Sequence, residues 1–252
     1  MITNPKISII TVTYNAEKLI ERTINSVVGQ SYSNIEYILV DGASTDLTLT
    51  VVKKHEKKIA KVISEPDKGL YDAMNKGLSL ASGDYVWFLN AGDEINDLDT
   101  VEKMIAMGQS DIYYSDTLVV NDEGQNIGLL SQLTHNNAPD NLSWKNMKKG
   151  MVVCHQSFVI KRDLAPSYSD NYKLSADIDW VIRCLKASKS VIKCDFVLAK
   201  FLTAGLSKQY LGSSMKERYS ILKSHFGFIP NLWSHVFLML RFLKSGRKNK
   251  LQ

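Results

Sequence analysis

At 252 residues, with 44% apolar and 23% charged side chains, the chain has the composition of a folded globular protein with a real core, which excludes a disordered or fibrous one. The net charge of +5 is modest, and no nucleic-acid partner is expected. Three cysteines, Cys154, Cys184 and Cys194, form no CxxC pair and are odd in number, which points to reduced thiols in a reducing compartment.

Residues 6–13 (KISIITVT) are β-branched and apolar almost throughout, as in a strand covered on both faces. Residues 17–28 place Ile20, Ile24, Val27 and Val28 at helical spacing, with Asn15 as the expected cap. A second strand is predicted over 35–40, a second helix over 45–58 opened by Ser44 or Thr45, and a short third strand over 61–64. The spacing of Leu70, Met74, Gly77, Leu78 and Ala81 predicts a helix over 70–81, followed by a strand over 85–89 and an amphipathic helix over 98–107. Such alternation means βαβ units and a largely parallel sheet. Beyond it, 111–120 reads as strand, Asn121, Asp122, Glu123 and Gly124 as a hairpin turn, and 129–149 as irregular and polar.

Open α/β sheets bind ligands outside the carboxyl ends of their strands. Asp41 follows the apolar run 37–40 and Asp93 lies just beyond the strand 85–89, so two strands deliver carboxylates to one sheet edge. No leader is expected ahead of the strand that begins at Ile7, and the longest apolar stretch, 233–243, is too short for a bilayer and contains His235 and Arg241. From Lys208 onward the chain is basic, with Lys216, Arg218, Lys223, Arg241, Lys244, Arg247, Lys248 and Lys250 against Glu217. The segment 215–243 interleaves these bases with Ile221, Leu222, Phe226, Phe228, Trp233, Phe237, Leu238 and Leu240. That pattern suits a helix lying on an anionic membrane, and equally a helical pair packed on the rest of the fold.

The runs IITVTYN at 9–15, SVVGQSY at 26–32 and VDGASTD at 40–46 resemble the opening of family 2 glycosyltransferases with the GT-A fold. The resemblance continues through 64–93 (SEPDKGLYDAMNKGLSLASGDYVWFLNAGD) and, more weakly, through His155 and Gln156, residues 175–183, and Gly205, Leu206 and Ser207. It covers about the first two hundred residues and is nearest to enzymes that build bacterial surface polysaccharides such as colanic acid or O-antigen. It implies an α/β architecture with a Rossmann-like, mostly parallel central sheet flanked by helices and a C-terminal helical extension. Residues 1–125 would form the nucleotide-sugar half, 126–210 the acceptor-binding and catalytic half, and 211–252 a basic amphipathic tail.

The resemblance further implies that Thr11, Thr13, Tyr14 and Asp41 line the pocket for base and ribose; the plainer reading of Asp41 is a helix cap. The chain departs from the commoner spelling at Gly42, where a second aspartate is usual, which leaves the base undetermined. Asp67 and Lys68, at a helix start after which Gly69 brings backbone close, would meet donor or ribose. Asn90, Ala91, Gly92 and Asp93 occupy the place of the Asp-x-Asp motif, so Asp93 would hold Mg²⁺ or Mn²⁺ against the diphosphate, and Asn90 would bind the nucleotide substrate. Asp177 would be the general base, with Asp179 pointing elsewhere on the same helix. His155 and Gln156 would lie near acceptor or diphosphate, and Lys208 near phosphate.

The expectation is an inverting glycosyltransferase that moves a sugar from a nucleotide-diphosphate donor to a hydroxyl of a glycan, carried on an undecaprenyl lipid, in the cytoplasm or peripherally on the inner face of the plasma membrane. Its rivals are a catalytically degenerate donor-binding scaffold and a sugar-phosphate nucleotidyltransferase. The absence of glycine from Thr11, Val12, Thr13, Tyr14 and Asn15 speaks against the latter.

Overall fold

The computed structural model describes residues 4–134, 138–203 and 211–228. Strand β1 (Ile7–Thr13) is buried over all seven residues, and its two-residue period divides them between two cores. Ile10 and Val12 enter one core, and Ile7 and Ile9 the other. Helix α1 (Ile20–Val28) closes the second core with Ile20, Ile24 and Val27, each stabilising the fold by roughly 1.5–3 kcal/mol through burial. Strand β2 (Ile35–Asp41) pairs parallel to β1, with Thr13 opposite Asp41. Helix α2 (Thr48–Lys54), a 3-10 turn (Glu56–Lys58) and β3 (Lys61–Ser64) extend the sheet outward.

Helix α3 (Leu70–Leu80) then crosses back, and β4 (Tyr85–Asn90) joins the free side of β1, with Val12 opposite Asn90. Gly77 lets α3 lie flat on β1, because a Cβ there would run into Cγ2 of Ile10. The order β3-β2-β1-β4 reverses direction between β1 and β4, and a crevice opens above the carboxyl ends at such a switch point.

The remaining elements are β5 (Glu94–Ile95), α4 (Thr100–Ala106), β6 (Ile112–Tyr114), β7 (Leu118–Val120), β8 (Asn126–Leu129), a single turn α5 (Leu130–Leu133), β9 (Phe158–Lys161), α6 (Ala176–Ala187), β10 (Val191–Lys193), β11 (Ala199–Leu202) and α7 (Leu211–Phe226). Two 3-10 turns, Trp144–Lys149 and His155–Ser157, lie between α5 and β9. The main sheet runs β10-β6-β9-β4-β1-β2-β3. It is parallel except for β9, which runs against both neighbours. A smaller sheet, β5-β11-β7-β8, stands beside it.

Several expectations shift. Asn15 does not cap α1, which begins at Ile20. Its backbone is left-handed (φ 48°) and its Oδ1 accepts the Thr45 N–H at 2.9 Å, tying together the loops after β1 and β2. The helix over 45–58 is shorter, because Asp46 takes the Thr48 N–H at 2.9 Å and holds residues 46–48 in a turn. The strand over 111–120 is two strands, which part at residues 115–117 to enter different sheets. Part of 129–149 is ordered as α5 and the 3-10 turn that stacks Trp144 on Phe226 of α7.

Helix α7 packs on the domain: Ile221 and Leu222 are buried, while Phe228 just beyond it is exposed. No helix among the described residues is long and apolar enough to cross a membrane. The expectations for Gly205, Leu206, Ser207 and Lys208, and for the tail from 229 to 252, lie outside the described residues.

Candidate active site

A cleft of about 680 Å³ opens where β1 and β4 end. Thr13 and Tyr14 reach it from β1, Asn90 and Asp93 from β4, Asp67 and Tyr71 from the start of α3, and Asp177 from α6. His155 and Gln156 form part of its wall, and Arg218 enters from α7.

Two oxygens in this cleft are buried without a hydrogen-bond partner among the described residues: Thr13 Oγ1 and Asn90 Oδ1. They stand at the ends of neighbouring strands. Orphaned buried acceptors are costly and uncommon, so the pair is free to bond a ligand or water. Tyr14 is 62% exposed beside them, an open aromatic face at the mouth.

Asp67 Oδ1 accepts the Gly69 N–H at 2.9 Å, and its Oδ2 lies against Gly42. A Cβ at residue 42 would collide with that oxygen. The Asp67 carboxylate therefore fills the space a side chain at 42 would need, which gives the Gly42 departure a physical reason.

Three expected site residues are not in the cleft. Thr11 is fully buried, with Oγ1 accepting the Tyr37 hydroxyl at 3.1 Å. Asp41 is fully buried as well. It accepts the Ser44 N–H at 2.9 Å, the Ser44 hydroxyl, and the Ser64 hydroxyl at 2.7 Å, so its oxygens are spent on joining β2 to its own loop and to β3. Lys68 is exposed outside the lining, with its N–H on Asp72 at 3.1 Å.

Gly92 explains why the acidic motif is thin. Its φ of +101° is one that L side chains rarely adopt, and a Cβ there would lie 2.7 Å from Leu202 Cδ2. Its N–H goes to Thr23 Oγ1 at 2.8 Å and its carbonyl takes Arg22 Nε and Nη2 at 2.8 and 2.6 Å. The position makes a turn. Asp93, next to it, accepts the Leu202 N–H at 3.0 Å and the Asn90 N–H at 3.3 Å. Burial pushes its carboxyl up to about 7, against the pull of these donors, the Gln156 side chain and the Arg22 charge.

No cluster of three metal-ligating His, Cys, Asp or Glu side chains occurs among the described residues, and Glu94 is engaged with Arg22 at 3.5 Å. The Asp93 carboxylate and the free Asn90 Oδ1 nevertheless supply two hard oxygens. That set fits Mg²⁺ or Mn²⁺, ions that take one or two protein oxygens and complete their shell with phosphate and water. A nearby cation would also favour the ionised form that burial opposes.

His155 is part of the wall and carries no charge. Its Nε2 meets the Tyr168 hydroxyl at 2.5 Å, its ring packs on Trp180 and Phe88, and burial lowers its pKa to about 4. Gln156 carries the wall further, its Oε1 accepting the Cys154 thiol at 3.0 Å and its carbonyl the Trp87 indole N–H at 2.7 Å.

Asp177 is the second residue of α6. Its Oδ1 accepts the Ile178 N–H at 3.0 Å and the Tyr71 hydroxyl at 3.2 Å. Burial raises its pKa, opposed by those two donors and by the charge of Arg218. Asp179 points elsewhere, to Arg183 Nε and His225 Nε2, both at 2.8 Å. One carboxylate of the pair thus faces the cleft, as the helical period requires.

Sequence reasoning missed Tyr71 and Arg218 as cleft residues. Tyr71 reads as an ordinary helix position, and Arg218 as one base among many in the tail.

Residues 8–165, well over half of the chain, match the model of glycosyl transferase family 2. The uncharacterized glycosyltransferase Rv1514c of Mycobacterium tuberculosis is 30% identical over 247 residues, 94% of this chain and 92% of its own. The Escherichia coli UDP-Glc:alpha-D-GlcNAc-diphosphoundecaprenol beta-1,3-glucosyltransferase WfgD is 26% identical over 250 residues, 96% of this chain and 94% of its own. Among solved structures, the mannosyltransferase PcManGT of Pyrobaculum calidifontis, in complex with GDP-Man and Mn²⁺, superposes with a TM-score of 0.62 at 17% identity, covering 91% of this chain and 72% of that one. Strand order, switch-point cleft and family match agree: the chain is a glycosyltransferase of family 2, with the GT-A fold.

Proposed function

We propose that the enzyme transfers a sugar from a nucleotide-diphosphate donor to a hydroxyl of a lipid-linked glycan, inverting the anomeric centre, in the assembly of a bacterial surface polysaccharide. The observation that carries this reading is the half-buried Asp177 carboxylate facing the same cleft as the orphaned oxygens of Thr13 and Asn90. The donor would lie across the switch point, with Asp67, Thr13 and Tyr14 toward the nucleoside. Asp93 and Asn90 would hold Mg²⁺ or Mn²⁺, which when bound supplies positive charge to the departing nucleoside diphosphate. Asp177 would take the proton of the acceptor hydroxyl; a single base acting opposite the leaving group gives inversion. WfgD, by its name, acts on an undecaprenyl diphosphate-linked sugar, which supports a lipid-linked acceptor here. Work at the inner face of the plasma membrane belongs to the same reading.

The absence of acidic side chains at Asn90 and Gly92 favours one rival, a scaffold that binds donor without turning it over. Thermal melting with nucleoside diphosphates and their sugars, with and without Mn²⁺, separates the two when paired with a donor-hydrolysis assay. The expected outcome is a metal-dependent shift with one base, donor turnover, and a loss of about 10²–10⁴-fold in turnover for Asp177→Asn with the shift retained. A shift without any turnover would establish the scaffold. No shift with any nucleotide would remove the donor site itself.

A further inference from the structure

The chemistry above leaves two cations of the cleft lining unused, Arg218 and Lys173. Arg218 reaches the lining from α7, and its Nε is buried with no acceptor among the described residues. It forms no hydrogen bond or ion pair there, although Asp177 feels its charge. A buried guanidinium nitrogen without an acceptor is costly to keep.

The backbone is shaped around it. Gly150 has φ +111°, and a Cβ at that residue would come within 2.7 Å of Arg218 Nη2 and 3.2 Å of Nε. A glycine in a conformation other residues avoid thus clears the space that the flat guanidinium fills. Lys173, exposed just ahead of α6, lines the same cleft and forms no ion pair among the described residues. Both bases come from the α6 and α7 side, whereas the oxygens assigned to the donor stand at the ends of β1 and β4. A planar fork with free N–H groups matches the oxygens of a phosphate, which accept in pairs.

We infer that Arg218, with Lys173 at the rim, binds a phosphate group of the acceptor beside Asp177. This rests on the glycosyltransferase reading for the words donor and acceptor. It goes beyond that reading by giving the acceptor a required anionic group and naming the residue that recognises it.

Isothermal titration of the full-length protein with isopentenyl diphosphate, a lipid diphosphate without sugar or nucleoside, tests the idea. It is run with the donor site filled by UDP or GDP in the presence of Mn²⁺. Binding of isopentenyl diphosphate that persists under saturating nucleotide is the expected result, weakened roughly ten- to a hundredfold in Arg218→Gln. Nucleotide affinity should stay within about twofold of wild type, which also reports that the variant is folded. Arg218→Lys, which keeps the charge and loses the fork, should fall between the two.

Competition between isopentenyl diphosphate and the nucleotide would assign the guanidinium to the donor's phosphates and overturn the proposal. Unchanged affinity in Arg218→Gln would overturn it as well, as would no binding to the wild type. Should neither UDP nor GDP bind, the other nucleoside diphosphates are tried in their place; if none binds, the donor-site reading fails separately, and comparing wild type with Arg218→Gln toward isopentenyl diphosphate still decides this one.

Discussion

Asp177 is held in place by a hydroxyl from another element. Tyr71, 7% exposed at the start of α3, donates to its Oδ1 at 3.2 Å, and its ring stacks on Tyr168 with centroids 5.4 Å apart. The bond favours the ionised carboxylate and fixes its direction, so Tyr71 is a positioning residue for the proposed base. Tyr71→Phe keeps the stacking and removes the bond. Turnover should drop about tenfold, and the acid limb of the pH–kcat/KM profile should move to higher pH, since Asp177 loses a donor that lowers its pKa. Nucleotide affinity should hold. A fall in turnover with the acid limb unmoved would mean that Tyr71 only packs.

At the scale of elements, the N-terminus of α6 is held by α7. Glu217 accepts the N–H groups of Lys173, Leu174 and Ser175 at 2.9, 2.9 and 3.0 Å, a negative charge on the positive end of the helix that carries Asp177. Glu217→Ala leaves three donors to water or to nothing and should cost about 2–3 kcal/mol in urea unfolding. Turnover should fall with it while the nucleotide Kd is kept, because Glu217 bonds to the residues ahead of α6 and not to the ends of β1 and β4. An unchanged turnover in a destabilised variant would uncouple α7 from the site. The same elements show what could be read in advance. Strands β1, β2 and β4 were legible because each is an unbroken apolar run covered on both faces. Strand β9 was not: its four residues FVIK sit centrally only because β4 and β6 flank it. Residues at a strand end could be expected at the sheet edge, and Thr13, Asn90 and Asp93 do line the cleft there. Thr11 and Asp41 lie outside the cleft lining, and a motif does not say which oxygens the fold has already used. Arg218 was hidden because its partner in space, Gly150, lies far away in sequence.

Over the whole molecule, two buried groups of opposite habit share the central wall, and their linkage to folding nearly cancels. Burial holds the Asp93 carboxyl at about 7 in the folded chain, against an ordinary value near 4, so between those pH values the folded state keeps a proton the unfolded state has released. Its stabilising effect is therefore full at low pH and is lost as pH rises through about 7. His155 does the reverse: with a pKa of about 4 when folded and an ordinary value near 6.5, it lacks a proton the unfolded chain holds, and stability is lost as pH falls through that window. Each slope is about 1.4 kcal/mol per pH unit, so the two offset between roughly pH 4 and 6.5. Asp93→Asn removes one of them. Metal-free urea unfolding of this variant should show stability climbing with pH by as much as about 3 kcal/mol between pH 4 and 6.5, where the wild type stays comparatively flat. Identical profiles for the two proteins would show that Asp93 titrates as an ordinary carboxylate. Mn²⁺ with a bound nucleoside diphosphate should give the wild type the variant's slope, because a cation beside Asp93 ionises it in the folded state.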